Sequence, residues 1–353
     1  MKFTIYEDET RKCLRSEAYN FNFNKDTGFF ARWGETEDDD PPFSPFGPEI
    51  LDLEISVNGC PNNCKFCYKG NSNEPATNMS LETFKQILDK MPPTLMQIAF
   101  GISGAQTNPD FVAMMQYTRE KGVIPNFTLT GIDLTDELAA EIAPLVGGLA
   151  VSVYQTNKNI GYDTIKKFLD LGVKQTNTHL LVSQETLPFV YEVLDDRLND
   201  PRLADMNAII FLGVKPKGRA EGQYHPVSVE EYTALIKHCM DAGIMFGFDS
   251  CSAPKFEQSL EHLDLSDEYK ERLIMCSESC ESSLFSSYIN VDGIYTHCSF
   301  AEGETEGVNV LEAENFSRDV WHSPRVVEFR NKSMATEIDG CRRCTVFPEI
   351  NDD

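Results

Sequence analysis

The chain has 353 residues, 41% of them hydrophobic, enough to bury one barrel of TIM-like size plus an appendage, or two ordinary domains. Its 56 Asp and Glu outweigh 31 Lys and Arg, and a surface of net charge −25 disfavours nucleic acid as a partner. No apolar run approaches the length that crosses a bilayer, and MKFTIYEDETRK lacks the apolar core of an export signal, so a cytoplasmic protein with no membrane partner is expected.

Residues 1–45 form a polar N-terminal segment in which FNFNKDTGFFARW predicts a β-hairpin, with NKDTG as the turn between aromatic strands. The acidic run 35–40 follows, then PPFSPFGPEI, whose prolines exclude a helix interior and deliver the chain to a main domain at 46–250. There the pattern alternates. Strands are expected at 50–57, 96–100, 123–130, 148–154, 173–182, 208–214 and 244–249. Helices are expected between them at 80–91, 109–121, 134–145, 159–171, 187–198 and 229–242. Gly122, Gly172 and Gly243 each precede Val or Ile, fitting a glycine that ends a helix and feeds a buried strand. Strand–helix alternation with short connections means a parallel α/β sheet, and seven strands fall short of a complete eight-stranded barrel. From Cys251 the alternation is expected to stop, leaving 251–353 as a small cysteine-rich domain.

Eleven cysteines in a chain without an export signal point to metal ligation or catalysis rather than disulfides. Three sit together in NGCPNNCKFCYKG, as Cys60, Cys64 and Cys67, directly after the first main-domain strand. Three thiolates on one short loop can hold three corners of an iron–sulfur cube and leave one iron open. A structural zinc site, the alternative, prefers four closed ligands in C-x2-C pairs. The loop resembles the C-x3-C-x-aromatic-C motif of the radical S-adenosylmethionine (SAM) superfamily, with Phe66 at the aromatic place. That resemblance implies a [4Fe-4S] cluster whose open iron binds SAM, and reductive release of a 5′-deoxyadenosyl radical that abstracts hydrogen from substrate. It implies a partial (β/α)6-type TIM-like barrel with the site at the strand C-termini, and a reductant such as flavodoxin or ferredoxin.

The same resemblance assigns further residues. FGISGAQTNPDF stands where the family contacts the SAM amino group, giving Gly101, Ser103 and Gly104 as cofactor-binding candidates, without the family's usual acidic residue. Ser152 and Tyr154 share one face of LAVSVYQ, where relatives touch the SAM ribose. FLGVKPKGRAEG resembles a K-P-x-G-R-A signature, placing Lys215 and Arg219 where they can pair a carboxylate of SAM or substrate. Cys251 closes the seventh strand, where a thiol can donate hydrogen to a carbon radical or simply fill a buried space. Asn177 and His179 share a face of the fifth strand, and hydrogen-bonded structure is the expected role of that histidine.

The C-terminal set is Cys280, Cys298, Cys341 and Cys344, with Cys276 as a substitute ligand. Between the first two, YINVDGIYTH predicts a hairpin on its Asp-Gly turn. This set resembles a shortened SPASM, or twitch-like, extension, implying one auxiliary [4Fe-4S] cluster, with a zinc ribbon as the alternative. SPASM-type enzymes often modify ribosomally made peptides, so a peptide or protein side chain is the expected substrate. The alternatives are a small molecule (sugar or amino acid) and a non-catalytic iron–sulfur electron-transfer or scaffold protein.

Overall fold

The computed structural model describes residues 2–338 and 341–351. The chain opens with a four-stranded antiparallel meander: β1 (Phe3–Glu7), β2 (Arg11–Ser16), β3 (Asn20–Asn24) and β4 (Phe30–Trp33). The hairpin read from FNFNKDTGFFARW is the β3–β4 pair. β1 and β2 were not legible because Arg11, Lys12 and Arg15 break the apolar alternation. Lys12 is nonetheless buried, its ammonium donating to the Leu95 carbonyl at 2.8 Å. Leu14, Tyr19, Phe21 and Phe23 from this meander pack on Met96 and Ile124, at the starts of two barrel strands. The meander therefore closes the N-terminal end of the barrel, opposite the strand C-termini.

The barrel strands follow in sequence: β5 (Ile50–Glu54), then after the short strands β6 (Ser56–Val57) and β7 (Thr77–Asn78), helix α1 (Leu81–Lys90) and β8 (Gln97–Gly101). Next come α2 (Phe111–Glu120), β9 (Ile124–Leu129), α3 (Asp136–Ile142), β10 (Gly148–Ser152) and α4 (Lys158–Asp170). The series ends with β11 (Gln175–Val182), α5 (Leu187–Asn199), β12 (Ile209–Gly213), α6 (Val229–Ala242) and β13 (Phe246–Phe248). The seven strands β5, β8 to β13 are neighbours in that order and all parallel, the expected partial barrel.

Local chemistry explains the alternation. Ser228 and Glu231 form a reciprocal capping box at the start of α6, and Gly243 ends that helix at φ +66°, which a β-carbon would disfavour. Between those ends Val229, Tyr232, Leu235, Ile236 and Cys239 recur at helical spacing and face the core.

The region after 250 departs from expectation. Two helices, α7 (Ala253–Glu261) and α8 (Asp267–Met275), continue the chain, and α9 (Pro324–Met334) follows later. Between them the predicted hairpin appears as β14 (Ser286–Ile289) and β15 (Ile294–Thr296), joined by β16 (Val308–Asn309). β14 pairs in parallel with β5, Tyr288 beside Asp52, so the cysteine-rich segment extends the barrel sheet to ten strands. No helix of the described residues is long and apolar enough to cross a membrane.

Candidate active site at the barrel mouth

The antiparallel pairing of β6 with β7 forms a neck, and the loop above it carries Cys60, Cys64 and Cys67. Asn58, Gly59 and Asn63 adopt positive φ there, residue types that tolerate the tight path. The loop is tied down over the strand C-termini. Ser103, after β8, donates to the Asn58 carbonyl at 2.5 Å, and Asn62 donates to the Thr130 hydroxyl after β9 at 2.8 Å. Phe66 meets Tyr154, just past β10, edge-on at 4.8 Å and Tyr224 at 5.6 Å. Burial, then the nearby Cys60 and Cys67, push the Cys64 thiol up to about 12, against the Arg219 cation. The three sulfurs thus form one electrostatic group beside the barrel mouth.

The K-P-x-G-R-A segment after β12 buckles this loop to the C-terminal region. Arg219 does not present its guanidinium to a carboxylate: Nε donates to the Cys64 carbonyl (2.8 Å), and the two terminal nitrogens to the carbonyls of Gly70 and Asn71 (both 2.9 Å). Its backbone N–H donates to the Cys67 carbonyl at 3.1 Å. Gly218, at φ +62°, lets the strand exit approach, since a β-carbon there would lie 2.6 Å from the Cys67 carbonyl oxygen. Lys217 donates to the carbonyls of Phe300 (2.7 Å) and Glu302 on the other side. Lys215 is buried and ion-paired with Asp249; burial alone would lower its pKa, but that carboxylate more than offsets it and keeps the ammonium charged. Lys215 and Arg219, expected to pair a carboxylate of SAM or substrate, are here engaged within the chain: Arg219 fastens the cysteine loop and Lys215 pairs with Asp249.

The remaining sequence candidates line or shape the same mouth. Ser152 is buried at the end of β10, and burial followed by the charge of Cys64 raises the Tyr154 phenol. Gly101 packs against Glu54, whose Cα a β-carbon would approach to 3.1 Å, and Gly104 lies under Asp133 and Thr107. Ser103 hydrogen-bonds the loop rather than standing open. In the lumen His179 is 3.4 Å from the Thr128 hydroxyl, and burial lowers its pKa to about 4. Asp52 was missed by the sequence reading; burial raises its carboxyl to about 6. The signal was present, because Asp52 and Glu54 are the polar positions of the alternating strand ILDLE, pointing where the lumen is. Glu54 pairs with Lys69 at 2.9 Å, a contact that no local pattern announces.

A cavity of about 200 Å³ lies between the barrel and the C-terminal segment, and Cys251, Cys280, Cys298 and Cys344 all line it, with Asp52, Lys215 and Asp249 on its barrel side. Backbone N–H groups meet two of these sulfurs, while burial, the larger effect, raises both thiols. Backbone N–H groups of Ala301 and Phe300 reach the Cys298 sulfur, whose thiol burial nevertheless holds up at about 11, and Phe347 N–H donates to the Cys344 sulfur at 3.3 Å. The structure does not bring the other two candidates here. Cys276 is exposed at the end of α8, beside a different groove. Cys341 is buried, with its thiol hydrogen-bonded to Glu257. Among the described residues no three His, Cys, Asp or Glu side chains converge as ligands of a single metal ion. The thiols instead stand around a space, a donor set that suits a multi-iron cluster held at its corners.

No family model matches the sequence. A curated relative, the tungsten-containing aldehyde ferredoxin oxidoreductase cofactor-modifying protein of Pyrococcus furiosus, is 33% identical over 100 residues, 28% of each chain. The match thus spans under a third of that relative's length. Among solved structures, SuiB of Streptococcus suis superposes with a TM-score of 0.68 over 98% of this chain and 99% of its own, at 12% identity. SuiB bound to its precursor peptide SuiA gives 0.68 over 99% and 94%, also at 12% identity. The AdoMet-bound anSMEcpe gives 0.60 over 80% and 79%, at 13% identity. The partial barrel with its C-terminal hairpin described above thus has the fold of SuiB and anSMEcpe.

Proposed function

We propose that the protein is a radical SAM enzyme that cleaves SAM reductively and takes hydrogen from a peptide or protein side chain. The observation that carries the reading is the position of Cys60, Cys64 and Cys67, fastened over the C-terminal ends of β8, β9 and β10. These three thiols would hold a [4Fe-4S] cluster. When bound, that cluster supplies the electron that breaks a carbon–sulfur bond of SAM, giving methionine and the 5′-deoxyadenosyl radical. The chain's own part is positioning. Arg219 and Asn62 hold the loop, Phe66 seats it on Tyr154, and Ser152 and Tyr154 would take the adenosyl ribose. Asp52 and His179 present polar groups to a substrate in the lumen. In this reading 46–250 is the catalytic barrel, 251–353 holds an auxiliary cluster, and 1–45 packs beneath.

Two structural neighbours favour a peptide, being solved with precursor peptide SuiA and with a Kp18Cys peptide. The name of the Pyrococcus furiosus relative favours a second reading, a small molecule. Anaerobic protein given SAM and a reductant such as flavodoxin or ferredoxin should form 5′-deoxyadenosine, and the triple Cys60, Cys64, Cys67→Ala variant none. With a deuterated peptide, label should appear in 5′-deoxyadenosine. Absence of 5′-deoxyadenosine under these conditions would leave a scaffold or electron-transfer role. Label from a small molecule but not from any peptide would favour the second reading.

A further inference from the structure

The C-x2-C pair Cys341 and Cys344 suggests by its spacing that both thiols serve one site, yet the fold separates them. Cys341 is held in a backbone bridge with Ile338, two hydrogen bonds of 3.0 Å, and its side chain turns to Glu257 on α7. Only Cys344 reaches the cavity. There it meets a thiol from a distant part of the chain. Cys251 lies in the tight turn after β13, and the side-chain amide of Asn351 joins it to Cys344, accepting from the Cys344 N–H at 2.8 Å and donating to the Cys251 carbonyl at 3.2 Å. Asn351 is itself only 4% exposed, so this bridge is part of the packed structure. Cys280 and Cys298 complete the wall from either side of the β14–β15 hairpin. The Cys280 carbonyl is in turn held by Arg342 Nε at 2.8 Å.

We propose that the fourth thiolate of the auxiliary cluster is Cys251, from the exit of the last barrel strand, and that Cys341 is not a ligand. This rests on the reading above that the cavity holds a cluster. Four thiolates, Cys251, Cys280, Cys298 and Cys344, then close the cage, and one of them comes from the turn directly after the last barrel strand. The cluster would thereby staple β13 to the C-terminal hairpin, with the charged Lys215 beside the ligand on its barrel side. A role for Cys251 as a hydrogen-atom donor falls away, because a coordinated sulfur has no S–H to give.

The test uses full-length protein in which Cys60, Cys64 and Cys67 are all Ala, so that any iron bound is auxiliary. After anaerobic reconstitution this background should hold about four iron per chain. Cys251→Ala added to it should lower the iron content or shift the EPR spectrum of the reduced cluster. Cys341→Ala should leave both unchanged, and circular dichroism should confirm that each variant is folded. Cys251→Ser, which keeps size and polarity, should still alter the spectrum. Unchanged iron and spectrum in Cys251→Ala, or a loss in Cys341→Ala whether or not Cys251→Ala also loses iron, overturns the assignment while the cluster reading stands. No iron in the background itself overturns the cluster reading instead.

Discussion

Arg219 is where two accounts of this site diverge most measurably. Its guanidinium donates three hydrogen bonds of 2.8–2.9 Å to carbonyls of the cysteine loop. Hydrogen bonds to a charged group contribute roughly 1.5–3 kcal/mol each, and half-burial here reduces that to about 1 kcal/mol apiece. Arg219→Ala then raises the population of the open loop by about 3 kcal/mol, on the order of 100-fold. With Cys60, Cys64 and Cys67 holding a cluster, its iron should pass to a ferrous chelator on the order of 100 times faster in the variant, and Arg219→Lys, restoring one bond at most, should fall between. If Arg219 instead paired the carboxylate of SAM, the variant would keep its iron and show a raised KM for SAM. Chelation within about twofold of wild type would refute the buckle.

Gly218→Ala should act on the same loop by overcrowding, since the new methyl meets the carbonyls of Cys67 and Tyr68 at a left-handed backbone position; a loss of roughly 1–3 kcal/mol, read by thermal melting, is expected. Phe66→Ala removes two edge-on aromatic contacts, each about 0.5–1.5 kcal/mol, and should loosen the loop, seen as greater proteolytic cleavage near 60–70, while Phe66→Tyr should not. His179 gives a pH signature. Its folded pKa of about 4 lies below the unfolded 6.5, so its contribution is intact above pH 6.5 and is lost as pH falls toward 4, by about 1–3 kcal/mol. His179→Gln should therefore flatten the melting temperature between pH 6.5 and 4, and an unchanged slope would contradict its burial as a neutral ring.

Much of the barrel was legible because its strands and helices carry strong local signals: apolar runs, a capping box at Ser228, a left-handed glycine at 243. The cysteine loop was legible for a different reason, that its chemistry is written within eight residues. What escaped was set by distant packing. Lys12 reads as a solvent residue but is buried on the Leu95 carbonyl, hiding β2. Helices α7 to α9 had usable signals, Ser266 before Asp267 and Glu268, and Pro324 at a helix start, yet cysteine spacing dominated the reading of that region. The grouping of Cys251 with Cys344 spans 93 positions through Asn351, and no pattern along the chain encodes it. Likewise Arg219 was read as a partner for a carboxylate of SAM or substrate, because only the fold reveals the three carbonyls it meets.

The account depends most on a cluster at Cys60, Cys64 and Cys67 that binds SAM at one iron. The most direct measurement is EPR of the reduced protein with its C-terminal cavity cysteines intact, recorded before and after adding SAM. A SAM-induced change in the spectrum, abolished by replacing those three cysteines with Ala, is the predicted result. A spectrum indifferent to SAM, in protein shown to carry iron on that loop, would contradict it.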